Sequence, residues 1–196
     1  MVRLARLIVC ATLFAPFVAH SAAPLPHRDA LPMKPPAALA VDRKLGAPAA
    51  GVADLKFRDF FTLPIGPKGL EPTQRLRSLD GQRVRLVGYM VQQHDAAPGG
   101  FLLSPLPVAA GDEDESLADD IPASAVFVSL PNAGSRNVPA LGGLIQITGT
   151  LHVGAYAAPG SDRVAAARID LAGAQERALL RLADNAKPKN KTRGAR

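Results

Sequence analysis

The stretch Leu79 to Val91, LDGQRVRLVGYMV, constrains the fold of this chain more than any other. From Gly81 onward it alternates with period two, the pattern of a half-buried β-strand. Val84, Leu86 and Met90 are therefore expected inward, and Arg83 and Arg85 toward solvent. Leu141 to Val153, LGGLIQITGTLHV, repeats the plan. Ile145, Ile147, Leu151 and Val153 share one face; Gln146, Thr148, Thr150 and His152 share the other. Each stretch has a glycine near its middle, Gly88 and Gly149, where a long strand can bend because no Cβ stands in the way.

Three shorter apolar runs complete the set: Phe101 to Leu103, closed by Pro105 and Pro107; Ala125 to Leu130; and Val164 to Leu171. Five strands, two of them long and glycine-bent, predict an all-β domain over residues 53–172. The expected architecture is a small five-stranded OB-like barrel, of the oligonucleotide/oligosaccharide-binding kind, with an open sandwich as the alternative. Short helices flank it. Thr73 caps one that carries Leu76 and Leu79, and Ala174, Ala178, Leu179, Leu182 and Ala183 outline an amphipathic second. Ordered structure is expected from Asp54, where DLKFRDFF gathers Phe57, Phe60 and Phe61.

The flanks read differently. Arg3 and Arg6 precede an apolar run from Leu7 to Val18, and Ala19-His20-Ser21 supplies small residues at a cleavage site, so residues 1–21 read as a signal peptide cut after Ser21. A retained anchor is the competing reading, but a spanning helix needs about 20 apolar residues and this run contains Pro16. The expected location is periplasmic or secreted, without a stable transmembrane anchor after cleavage. Cys10, the sole cysteine, lies in that run, so cleavage would leave no thiol for a disulfide, a zinc–cysteine site or a cysteine nucleophile. Residues 22–52 hold Pro24, Pro26, Pro32, Pro35, Pro36 and Pro48 among many alanines and predict a disordered linker.

The net charge of +6 suggests nucleic acid until it is divided along the chain. Residues 1–21 and 22–52 carry +2 each, residues 53–172 carry −3, and residues 173–196 carry +5. A charge gathered in a tail describes the tail, not a binding face of the domain. KPKNKTRGAR, residues 187–196, reads as a disordered solubilising end, with contact to anionic surfaces as the alternative.

Candidate chemistry is sparse. His94, in the turn after the first long strand, and His152, near the end of the second, are candidate metal ligands if the strands are neighbours. The simpler reading is two exposed polar residues. Asp112, Glu113, Asp114, Glu115, Asp119 and Asp120 form an acidic loop without the glycine and terminal glutamate of an EF-type calcium site. Gly66-Pro67-Lys68-Gly69 lacks the ending of a phosphate loop. Ser104 and Ser135 lie in no nucleophile elbow, so no catalytic residue and no cofactor is assigned. Arg83, Arg85 and Tyr89 share a strand face and are the candidate partner-binding residues. They echo a single-strand binding surface only locally, because the chain has no Trp and two Tyr, which makes nucleic acid an unfavoured partner.

The segments Lys56 to Phe61, Leu79 to Val91 and Phe101 to Leu103 resemble uncharacterised exported bacterial proteins with an LDGxxVRLxGYMV strand followed by an FLL strand. A more distant resemblance is to a periplasmic family of unknown function in which the second strand leads to a cysteine and a proline-rich loop. That cysteine is missing here, so the resemblance implies export and a similar domain over residues 54–171, but no metal or redox role. The function expected is a non-catalytic exported module binding or assisting another envelope component, through loops 92–100 and 112–121. The alternative is a metal- or small-ligand-binding accessory protein using His94 and His152.

Overall fold

The computed structural model describes residues 31–41, 44–93, 98–109, 121–157 and 163–186. The signal segment, His94, nearly all of the acidic loop and the basic tail lie outside the described residues.

Six strands form one mixed sheet: β1 (Ala53–Asp54), β2 (Arg83–Met90), β3 (Gly100–Ser104), β4 (Val126–Ser129), β5 (Leu144–Ala157) and β6 (Val164–Leu171). The order β2–β3–β4–β6–β5 returns to β2 and closes a ring of five strands. The two glycine-bearing stretches are antiparallel neighbours, with Val84 opposite Gly149 and Leu86 opposite Ile147. Only β4–β6 is parallel within the ring; β1 adds to β2 as a further parallel strand.

The alternation read from sequence sorts the side chains of β5, where Ile145, Ile147 and Leu151 are buried and their neighbours half-buried. β3 does not alternate. Phe101 and Leu103 face the main core, while Leu102 joins Val91, Phe127, Ile121, Ala125 and Ala165 in a second cluster. A strand packed on both faces reads as a continuous apolar run, as Phe101 to Leu103 does.

Both glycines mark close approaches. A Cβ on Gly88 would stand 2.6 Å from the Ser104 carbonyl oxygen and 2.8 Å from the Phe57 ring, and one on Gly149 would strike the Asp170 carbonyl. Glycine is needed at these positions because a neighbouring chain passes too near for a side chain.

Helices pack at two places along β5. Helix α1 (Gln74–Ser78) is capped by Thr73, whose Oγ1 accepts from Leu76 N at 3.0 Å, and it buries Leu76. Its exit is tied to β5 by Gly81 N donating to Leu151 O at 2.8 Å. Helix α2 (Ala174–Ala186) follows β6 and buries Leu179 and Ala183. Its Glu176 is also buried, and both its carboxylate oxygens accept from Asn132. No described helix is long and apolar enough to cross a membrane.

The linker expected up to residue 52 is corrected in its described part. Leu39 is fully buried in the core, Met33 bridges to Leu141, and Ala40 bridges to Ile145. The cause lies in β5, which begins at Leu144 although β6 reaches only as far as Gly149. The backbone left over needs partners. Gln146 N donates to Leu39 O at 2.7 Å, and the Gln175 side chain accepts from Thr148 N at 2.7 Å and donates to Gln146 O at 3.0 Å. A prolyl segment and one amide side chain thus stand in for the missing strand.

Candidate functional site

The three strand residues expected to form a partner face differ in exposure. Arg83 is exposed and Tyr89 half-buried, six positions apart on β2, or about 20 Å. Arg85 corrects the solvent-facing expectation, since β1 and the segment before it cover that part of β2 and leave the residue only 9% exposed. A guanidinium so placed requires a counter-charge. Its Nε and Nη2 donate to the two carboxylate oxygens of Asp54 at 2.6 and 2.8 Å, and Nη1 donates to Gly46 O at 2.9 Å. Periodicity gave the face of Arg85 but not what lies over it.

His152 lies on the outer face of β5, opposite Arg168 of β6. Its Nε2 is 3.2 Å from Asp170 Oδ2. The same carboxylate meets Arg168, with Nε 2.7 Å from Oδ1 and Nη2 donating to Oδ2 at 3.1 Å. The Nε–Oδ1 contact is close yet poorly directed, since both shielded atoms lack an aligned hydrogen bond, so it is an ion pair rather than a fork. Arg168 also stacks on Tyr156, 4.7 Å from the ring centroid. A cation approaching His152 and Asp170 would therefore meet Arg168 first. Among the described residues no group of three or more His, Cys, Asp or Glu could hold a metal ion. The candidate partner of His152, His94, lies outside them.

An apolar groove is the feature that the sequence reading did not find. LPIGPKGLEP folds into a short arm: Phe61 bridges to Pro72, Thr62 N donates to Glu71 O at 2.9 Å, and Gly69 N donates to Gly66 O at 3.0 Å at the tip. Beside it β5 carries a bulge between Val153 and Tyr156. Arm and β5–β6 hairpin border an open groove of about 340 Å³, lined among others by Phe61, Leu70, Pro72, Val153, Ala155 and Val164. Aliphatic side chains stand exposed on the arm and hairpin: Leu63 at 74%, Ile65 at 60%, Leu70 at 41% and Val164 at 65%. The available signal was three large aliphatics in a proline- and glycine-broken loop with no strand or helix period to bury them.

No protein-family model matches this chain, and no curated protein does. Among solved structures, a DUF3299 family protein from Pseudomonas aeruginosa PAO1 is similar at 15% identity and a TM-score of 0.40, over 65% of this chain and 95% of that one.

Proposed function

We propose that this chain is an exported, non-catalytic accessory module whose OB-like barrel holds an apolar segment of another envelope protein against the arm of residues 61–72. Support for the barrel comes from strand order and sense. Numbered from β2, the ring runs first, second, third, fifth, fourth and back to first, with the third and fifth strands parallel, the connectivity of a small Greek-key barrel. Export rests on the signal-like residues 1–21.

The observation that carries the binding function is the exposure of Leu63, Ile65, Leu70 and Val164 on the arm and hairpin that border one groove. Scattered exposed aliphatics need no explanation, but Leu70 and Val164 line an apolar cleft and Leu63 and Ile65 stand exposed on the same arm, a surface of the kind that partners cover. The arm is a loop held by its own backbone bonds on a closed scaffold, which suits it to recognition without rearrangement. The outer-face contacts of Arg83 and Tyr89 and the loops at residues 92–100 and 112–121 remain secondary surfaces in this reading.

The test is site-specific photocrosslinking in intact cells of the native host, with the probe at Leu63, at Val164 or, as a control, at exposed Ser135. The expected result is one discrete adduct from the first two positions and none from the third, abolished by Ile65→Asp. Adducts no different from those of the Ser135 probe would overturn the groove reading. The mass of the chain recovered from the envelope should begin at Ala22; a retained Met1 would remove the cleaved-signal reading.

A further inference from the structure

We infer that the segment held in the groove is a short extended strand of another envelope polypeptide, added to the open edge of β5 at residues 153–157. The inference rests on the groove reading above and gives its occupant a conformation. β5 is longer than either of its ring partners: β2 covers one edge over residues 144–150, and β6 covers the other over residues 149–157. Each overhang leaves backbone N–H and C=O groups that need partners. On the β6 edge the overhang is closed by Leu39 O and the Gln175 side chain. On the β2 edge the chain closes only the first part. Leu151 N donates to Gln82 O at 2.9 Å, Gly81 N donates to Leu151 O at 2.8 Å, and Val153 N donates to Asp80 Oδ1 at 2.9 Å. Beyond that contact, the alternation of the strand decides which backbone groups face this edge. Leu151 and Val153 face it, and the bulge adds one residue between Val153, opposite Ala167, and Tyr156, opposite Ala165. The next residue turned to this edge is therefore Tyr156. The Val153 carbonyl and the Tyr156 N–H and carbonyl find no partner among the described residues.

That edge borders the groove. Val153 and Gly154 line it, as does Pro72, and the chain runs from Pro72 through α1 to the Asp80 that meets Val153. Two features favour a strand of uncharged residues as the occupant. A helix satisfies its own backbone and would leave the open groups of β5 unpaired beneath it, whereas a strand brings N–H and C=O groups to the edge. None of the residues that line the groove carries a charge, so a charged side chain seated there would lose water and gain no counter-charge. Side chains alternate along a strand, so every second residue of the partner meets Phe61, Leu70 and Val164. The partner segment is thus apolar at alternate positions, with no proline at a residue that donates to Val153 O or Tyr156 O.

The experiment uses the full chain with the photoprobe at Leu63 in intact cells of the native host. Tyr156→Pro removes the outward N–H without removing a bond to β6, and Tyr156→Ala keeps that N–H. The yield of adduct is expected to fall by about fivefold or more in the proline variant and to persist in the alanine variant. Should proline disturb folding, as judged by circular dichroism, hydrogen–deuterium exchange decides the matter. The amides of residues 153–157 are expected to exchange more slowly in the purified adduct than in the free chain. An adduct that survives Tyr156→Pro, one lost equally in both variants, or exchange over residues 153–157 unchanged by the adduct would overturn the strand and leave the groove reading standing. No adduct from Leu63 in the wild type would remove the groove reading and the strand with it. An adduct joining two copies of this chain would overturn the choice of another polypeptide as the partner.

Discussion

Arg85 grips Asp54 with two parallel hydrogen bonds, 2.6 and 2.8 Å long, and so fastens the two-residue strand β1 to the first long strand of the ring. The pair is asymmetric: the Arg85 side chain is 10% exposed and that of Asp54 is 44% exposed. Removing the carboxylate therefore leaves a nearly buried cation, whereas removing the cation leaves a carboxylate that water can reach.

Hydrogen bonding from Arg85 holds the Asp54 carboxyl below its ordinary value of 3.8, against a smaller opposing effect of burial. A carboxyl lowered in the folded state stabilises the fold above its ordinary value, and that contribution disappears as pH falls through the lowered value. Asp54→Asn is thus expected to cost about 1 kcal/mol at pH 7, discounted for the exposure of the carboxylate, with the gap to wild type closing below about pH 4. Urea unfolding of both proteins from pH 7 to pH 2.5 checks this. A gap that stays constant with pH would show that the ion pair does not carry the difference. Arg85→Lys, with Asp54 intact, should also lose stability, because an ammonium cannot span both oxygens.

The glycines give a sharper contrast. Gly149→Ala forces a methyl group onto the Asp170 backbone carbonyl and the Ile169 side chain, and Gly88→Ala forces one onto Ser104 O and the Phe57 ring. Backbone oxygens in a closed ring cannot step aside, so each substitution should cost about 1–3 kcal/mol. Gly66→Ala, where nothing lies within 4 Å, should fall within about 0.5 kcal/mol of wild type. Thermal unfolding of the three variants distinguishes glycines needed for close approach from one that merely fills a loop.

These residues also show what the sequence displays and what it hides. The alternation along β5 is legible because one of its faces packs into the core and the other is half open. β3 was legible only as an apolar run, and Arg85 was misjudged, because period two assigns a side to a residue and is blind to a cover arriving from Gly46 and Asp54, 39 and 31 positions away. The arm escaped notice for a related reason: its backbone bonds are local, but the bulged hairpin that completes the groove lies some eighty positions further along the chain.

Leu39 tests whether the proline-rich segment belongs to the folded unit. Composition hides it, since leucines scattered among prolines and alanines show no period, yet Leu39 is 0% exposed and its carbonyl accepts from Gln146 N. Leu39→Ala should therefore cost about 2–5 kcal/mol, as for any large core side chain. Leu31→Ala, at a position 89% exposed in the same segment, should change stability by less than about 0.5 kcal/mol. Equal, small effects at both positions would return residues 31–41 to the role of a spacer.

Metal binding at His152 is decided by the charge already beside it. Asp170, the carboxylate within 3.2 Å of the imidazole, faces Arg168 through both oxygens, and Arg168 is further held by the face of Tyr156. A divalent ion would have to displace a guanidinium from two partners in order to gain two ligands. Zinc or nickel, added to the full chain at a slight excess, should therefore shift the melting temperature of wild type and of His152→Ala equally. A rise seen in wild type and lost only when His94 and His152 are both replaced would contradict this and reinstate the two histidines as a metal site. Arg168→Gln makes the test two-sided, because it removes the competing cation while keeping a polar side chain over Tyr156. If the guanidinium is what excludes metal, this variant should gain a zinc-dependent rise in melting temperature that His152→Ala, added to it, abolishes.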